Sequence, residues 1–216
     1  MEAPVALTLH MHPLSSYCHK VLIALYELEV PFEPGFLNLG DEAERAAFLK
    51  LWPIGKMPVL EDRAAGVVLP ETSVIIDYLN RRFGGDLIPA DPDSALEVRL
   101  QDRFFDLYVH TPMGVFTWDL LRPEGQRDPY GVNQARATLN TAYDMIEARM
   151  ADREWAAGDG FSMADCAAAP ALFYAEGRVP FGDRPRLKAY LQRLKARPSY
   201  ARALKEAEPY FHMVPQ

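Results

Sequence analysis

The chain has 216 residues, 49% of them hydrophobic and 25% charged, with a formal net charge of −7. That length can bury a sizeable core in one large domain or two small ones, and the composition is that of an ordinary soluble globular protein. The acidic balance argues against non-specific nucleic-acid binding, no apolar run approaches the roughly 18 residues that span a bilayer, and Met1-Glu2-Ala3-Pro4 lacks the order of a secretion signal.

Val5 to Leu9 is short, apolar on both faces and followed by Pro13, the pattern of a buried central strand. His10 and His12 alternate beyond it and face the same way on an extended chain. No Cys, Asp or third His follows at ligand spacing, so no metal is expected there. From Lys20 to Leu28, Val21, Leu22, Leu25 and Tyr26 form one stripe of a helix that Pro31 ends. Pro13-Leu14-Ser15-Ser16-Tyr17-Cys18-His19 joins strand to helix. Ser15 and Ser16 are its candidate N-caps, and the first-turn backbone N–H groups favour an anion.

Phe32 to Leu39 reads as a second strand, and Asp41 caps a short helix over Glu42 to Leu51 that Trp52-Pro53-Ile54-Gly55 stops. Gly55 to Leu60 contains a strand that begins at Pro58, where a missing N–H is tolerated. Asp62 to Gly66 is a hairpin turn with Val67 to Leu69 returning. Pro70-Glu71-Thr72-Ser73 opens a helix with Val74, Ile75, Tyr78 and Leu79 on one face, closed by Gly84-Gly85.

Asp86 to Asp93 reads as a linker. Ser94-Ala95-Leu96-Glu97 is a capping box, with Ser94 as the cap. It opens a long helix through Arg99, Phe104 and Tyr108 toward Trp118, bent at Pro112, whose ring crowds the Tyr108 carbonyl. Val132 to Met150 forms the next helix with Ala135, Leu139, Tyr143 and Ile146 inward. In Gly158 to Asp165, Ser162 caps, Asp165 sits three on, and Phe161 can staple against Cys166. The helix from Cys166 to Phe173 is apolar nearly all round and so should be buried, with Cys166 a packed thiol. Pro185 to Lys195 and Ser199 to Glu208 are two further helices. Two cysteines are too few for a disulfide scaffold and are expected to be reduced.

Three of these stretches together resemble one family. Ser15-Ser16-Tyr17-Cys18 sits where glutaredoxin-like thioredoxin-fold proteins carry Cys-Pro-Tyr-Cys, and where glutathione transferases carry the Ser, Tyr or Cys that activates the glutathione sulfur. Six residues before Val21, the position used in serine-type transferases, is Ser15. Met57-Pro58 resembles the cis-proline beside thioredoxin-fold active sites, which leaves the Met57 backbone free to pair with a bound peptide. Glu71-Thr72 resembles the Glu-Ser or Gln-Ser that grips the γ-glutamyl group, with Thr72 keeping the hydroxyl. Phe161-Ser162-Met163-Ala164-Asp165 and Arg197-Pro198-Ser199 are also similar to the family's helical domain.

The resemblance implies an α+β thioredoxin-like domain over residues 1–84, a linker over 85–93 and an all-α helical bundle over 94–216. It implies a cytoplasmic, homodimeric detoxification enzyme that joins the glutathione thiolate to a small hydrophobic electrophile. Glutathione is then a co-substrate, and no metal is required. Ser15 is the catalytic residue, with Tyr17 open as an alternative donor. Glutathione contacts fall to Ser15, Tyr17, Lys56, Met57, Pro58, Glu71 and Thr72, and the electrophile wall to Tyr108, Met113 and Phe116. For Lys56 a solvated surface side chain, and for those last three plain core packing, fit the residues as well.

Other readings of the same fold are a glutathione-dependent isomerase or peroxidase, a thiol–disulfide oxidoreductase using Cys18, and a non-catalytic ligand carrier. The isomerase class reads Ser-Ser-Cys, and Tyr17 stands where its Cys would be. Cys18 matches the resolving, not the nucleophilic, position of Cys-Pro-Tyr-Cys.

Overall fold

The computed structural model describes residues 6–215, so Val5 and the residues before it lie outside the described part. In chain order the elements are β1 (Leu7–Met11), α1 (Ser16–Glu27), β2 (Glu33–Phe36), α2 (Glu42–Leu51), β3 (Val59–Asp62), β4 (Val67–Pro70) and α3 (Thr72–Phe83). After a short connection come α4 (Pro92–Phe104), a π-helical turn (Phe105–His110), α5 (Thr111–Leu121), α6 (Pro129–Arg149), α7 (Met163–Glu176), α8 (Pro185–Ala196) and α9 (Pro198–Ala207).

The four strands form one sheet in the order β2-β1-β3-β4, with β1 parallel to β2 and antiparallel to β3, and β3 antiparallel to β4. As its two apolar faces require, β1 lies inside the sheet, and Leu7, Leu9 and Met11 are buried. A parallel partner demands a crossover, and α1 is that crossover. Its Val21, Leu22, Ile23 and Leu25 are fully buried, each stabilising by about 1.5–3 kcal/mol.

The helical half packs through α7 against α1. Ala167, Ala168, Ala169 and Ala171 on α7 have no exposed surface, and such small side chains let neighbouring helices approach closely. The two halves are also tied by charge. Arg197 clasps the Glu27 carboxylate with two bonds of 2.7 Å, and the Tyr26 hydroxyl donates to Glu206 at 2.6 Å.

Two local features depart from the sequence reading. The cap of α4 is Asp91, not Ser94: Asp91 accepts from the Ser94 backbone N–H and hydroxyl, and Pro92 occupies the first turn, where its missing N–H costs nothing. Glu97 is drawn away from any capping box by Arg149 and Arg153. On α3 the buried face is Thr72, Ile75, Ile76 and Leu79, whereas Val74 is exposed. At the end of α3, Gly85 has φ of 143°, and a Cβ there would lie 2.2 Å from Leu28, so a side chain is excluded twice over.

The long helix before Pro112 does not simply bend. It widens into the π turn, where the Thr111 N–H reaches back five residues to the Asp106 carbonyl and the Thr111 hydroxyl donates to the same oxygen. This wide turn ends two residues before Pro112, which has no N–H to give, and it shifts the phase of everything after it.

Candidate active site

The loop between β1 and α1 is held from several directions. The Ser15 N–H donates to the His12 carbonyl at 2.9 Å, the Leu14 N–H to His12 Nδ1 at 3.2 Å, and His19 Nε2 bonds the Pro13 carbonyl at 2.6 Å. His10 is engaged by Glu61 at 3.3 Å. Ser15 is the N-cap of α1, with φ −72° and ψ 115°, and its Oγ accepts from the Cys18 N–H at 3.3 Å. Its hydroxyl hydrogen is not used by that bond. The first turn of α1 contains no acidic side chain, so the positive end of the helix is unopposed.

Facing this helix end is a cleft. One wall is Trp52, Lys56, Met57 and Pro58, a second is Pro70, Glu71 and Thr72, and Tyr17 lies between them. The helical half closes the cleft with Arg103, Asp106 and Leu107. The Met57-Pro58 bond is cis. Among the described residues nothing pairs with the Met57 backbone N–H or C=O, which leaves both available to an extended ligand. Glu71 has φ of 68°, a left-handed conformation that costs a non-glycine residue of order 1–3 kcal/mol and occurs preferentially at ligand clamps. The cleft thus offers both signs of charge, from Lys56 and Arg103 and from Glu71 and Asp106.

Beneath it lies a buried ionic cluster. Lys20 on α1 has no exposed surface; its Nζ is 2.7 Å from Asp102 Oδ1 and 2.8 Å from Asp106 Oδ2, and it donates to the Ser73 hydroxyl at 3.0 Å. Ser73 in turn donates to Asp102 at 2.6 Å, and Arg103 reaches Asp106 at 2.9 Å. Burial pushes the Asp106 carboxyl up from its ordinary value, and the Lys20 ammonium opposes that shift. Removing Lys20 would leave two buried carboxylates facing each other, a loss of about 3–5 kcal/mol. Because Ser73 follows Thr72, the cluster also fixes the floor of the cleft.

On the other side of the helix end, His110 from the π turn meets Ser16. His110 Nε2 is 2.5 Å from Ser16 Oγ, and the imidazole lies flat on the Tyr17 ring with centroids 3.7 Å apart. Burial, then the Lys20 ammonium and His19, hold His110 down to about 3. Burial and the Asp106 carboxylate push the Tyr17 phenol up, and Thr111 works in the opposite sense. Cys18 is fully buried, and desolvation pushes its thiol up to about 12, so it cannot serve as a nucleophile at neutral pH.

Of the residues singled out from the sequence, Tyr17, Lys56, Met57, Pro58, Glu71 and Thr72 share this cleft; Ser15 does not line it but caps the helix whose Tyr17 does. The remaining three do not line it. Met113 and Phe116 are packed in the core, and Tyr108 is half exposed against Phe104. The helix meets the cleft about one turn earlier, at Arg103, Asp106 and Leu107, because the π turn shifts the residues beyond it off the expected face. Sequence reasoning missed Lys20, Asp102, Asp106 and His110. One signal was present: Asp102 and Asp106 are four apart and so share one face of the long helix read through Arg99, Phe104 and Tyr108.

A short extended strand, a buried crossover helix, a cis-proline and an open helix N-terminus define a thioredoxin-like half, with a helical half packed beside its cleft. Residues 9–86 match the family description "Glutathione S-transferase, N-terminal domain", and residues 129–193 match "Glutathione S-transferase, C-terminal domain". A glutathione S-transferase of Pseudomonas putida is 31% identical over 211 residues, covering 94% of this chain and 93% of that one. The chain belongs to the glutathione S-transferase family. Among solved structures, a glutathione S-transferase from Methylobacterium radiotolerans in complex with glutathione sulfonate superposes with a TM-score of 0.80 at 28% identity, covering 91% of this chain and 93% of that one. Another, from Methylobacillus flagellatus with glutathione bound, gives 0.82 at 25% identity, covering 91% and 98%.

Proposed function

We propose that this chain binds glutathione in the cleft and catalyses attack of its thiolate on a small hydrophobic electrophile, with Ser15 as the catalytic residue. A free thiol with a pKa near 8.5 is only a few per cent ionised at neutral pH. Lowering that by about 2 units takes roughly 2.7 kcal/mol of differential stabilisation. One charge-assisted hydrogen bond from the Ser15 hydroxyl supplies about 1.5–3 kcal/mol of it, and the unopposed end of α1 adds to this. The single observation that carries the reading is the open end of α1, whose first turn holds no acidic side chain and whose Tyr17 lines a cleft with an open backbone pair at Met57.

Glutathione is a zwitterion with two carboxylates and one ammonium, and the cleft carries complementary groups. Lys56 faces the glycine carboxylate, Met57 pairs with the cysteinyl backbone beside Pro58, and Glu71 and Thr72 hold the γ-glutamyl end. Tyr17 forms the wall between them, while Leu107 leaves apolar surface at the rim for the electrophile. On this reading residues 1–84 are the glutathione-binding half, 85–93 the linker and 94–216 the helical half. Exposed Val74 on α3 and Leu96 and Leu100 on α4 support a homodimer formed through those two helices. Two buried thiols without a disulfide suit a cytoplasmic detoxification role.

The buried Cys18 speaks against the thiol–disulfide oxidoreductase reading. A panel assay with glutathione against aryl halides, enals, isothiocyanates and hydroperoxides tests the proposal. Turnover of at least one class supports it, whereas glutathione binding without turnover of any would favour the carrier reading.

A further inference from the structure

His110 and Ser16 form a contact across the two halves of the chain that the reaction described above leaves unused. His110 reaches Ser16 because of the π turn. One residue fewer would rotate the following helix by about 100° and carry the imidazole away from α1. The flat stack on Tyr17 then fixes the plane of the ring.

The tautomer follows from burial. His110 is held neutral at working pH and carries a single N–H. Its Nδ1 is buried and has no hydrogen-bond partner. A buried N–H without an acceptor is rarer than a buried lone pair without a donor, so the hydrogen belongs on Nε2. Nε2–H then donates to Ser16 Oγ, and the hydroxyl hydrogen of Ser16 is turned away from the ring. The opposite tautomer would make Ser16 an activated nucleophile, as in a serine hydrolase. No carboxylate stands on Nδ1 to support the imidazolium that such chemistry needs.

We propose that His110 is a positioning residue for the thiolate: it anchors Ser16 Oγ at the start of α1, so that the Ser16 hydroxyl, alongside that of Ser15, donates to the sulfur of bound glutathione. Ser15 is the cap and Ser16 the first residue of the helix, so both hydroxyls belong to the turn whose free N–H groups attract an anion. A donor that itself accepts a hydrogen bond is polarised and donates more strongly. The inference rests on the glutathione transferase reading and adds a second donor with its support.

The test measures two quantities on wild type, S16A, H110F, H110Q and the S16A/H110F double variant: glutathione affinity by calorimetry, and the pKa of the bound thiol from thiolate ultraviolet absorbance. S16A and H110F should each raise the bound-thiol pKa by about 1 unit, and the double variant should raise it no further. H110Q, whose amide N–H can occupy the place of Nε2–H, should restore part of the shift. Affinity should change little in all four. If H110F does not fold, S16A and H110Q carry the test. Glutathione binding with an unmoved thiol pKa in S16A overturns this assignment alone, as do shifts that add in the double variant. A wild type that binds no glutathione overturns the transferase reading and this assignment with it.

Discussion

Two helices in this protein begin with a serine cap, and the two serines are put to opposite uses. At α7, Ser162 is buried, and the Asp165 carboxylate accepts from the Ser162 N–H at 3.0 Å, the Ser162 hydroxyl at 3.2 Å, the Ala156 N–H at 2.9 Å and the Tyr190 hydroxyl at 2.6 Å. The Asp165 carboxylate there is surrounded by four donors from within the chain. At α1, Ser15 is half buried, no acidic side chain occupies the first turn, and the Ser15 hydroxyl is engaged only by Cys18 of the same turn. A closed cap specifies the fold; an open one is a binding site for an anion. What separates them is the next shell of side chains, which a capping motif alone does not reveal.

The comparison breaks most visibly at α7. Asp165→Ala strips the acceptor from four groups, two of them the buried Tyr190 hydroxyl and Ala156 N–H, and should lower unfolding free energy by about 4–5 kcal/mol in a urea titration. Any folded fraction should still bind glutathione with near wild-type affinity. A loss below about 1 kcal/mol would show that the closed cap is not what holds this helix.

Acid should strike the α1 side. Burial holds His19 down to about 4 and His110 down to about 3, so both stay neutral in the fold while the unfolded chain takes up protons near pH 6.5. The unfolded state therefore binds more protons below that pH, and stability falls as pH drops, by roughly 1.4 kcal/mol per unit for each histidine. Asp106 and Asp165, raised by burial, work in the opposite sense, because protonation relieves them. Denaturant curves at pH 6.5 and pH 5 should differ by about 3–4 kcal/mol, and His19→Gln should reduce the difference. A flat profile over this range would contradict the buried, neutral state of both rings.

A smaller effect sharpens the picture of the cleft. Thr72→Val preserves shape at a buried position and removes only the hydroxyl, which bonds nothing within the described chain. Glutathione affinity should fall by about 1–3 kcal/mol by calorimetry with little change in thermal stability. Unchanged affinity would take Thr72 out of the γ-glutamyl subsite.

The local features were legible in the sequence. Ser15, Met57-Pro58, Glu71-Thr72 and Ser162 with Asp165 are each set by neighbours a few residues away, and a β-α-β-α-β-β-α order follows from period and breakers alone. Long-range features were not. Lys20 reads as the start of an amphipathic stripe, and nothing near it announces that Asp102 and Asp106, more than eighty residues on, will bury it. His110 and the positions of Met113 and Phe116 depend on the π turn, which adds a residue to the helical period without changing the apolar pattern. The cap of α4 was misplaced because two capping patterns, Asp91-Pro92 and Ser94 with Glu97, overlap, and the arginines that claim Glu97 come from α6 and the loop after it.

The open cap at α1 is tested most directly by titrating the thiol of bound glutathione and the conjugation rate together in Ser15→Ala and Tyr17→Phe. Ser15→Ala should raise the bound-thiol pKa by about 1–2 units and lower kcat/KM at neutral pH by tenfold or more, with the deficit shrinking as pH rises and the thiol ionises unaided. Tyr17→Phe should follow the wild-type profile, because burial raises the Tyr17 phenol and leaves it a poor donor of charge to the sulfur. A Ser15→Ala profile that overlays wild type while Tyr17→Phe collapses would place the activating hydroxyl on Tyr17 and contradict the role assigned to the α1 cap.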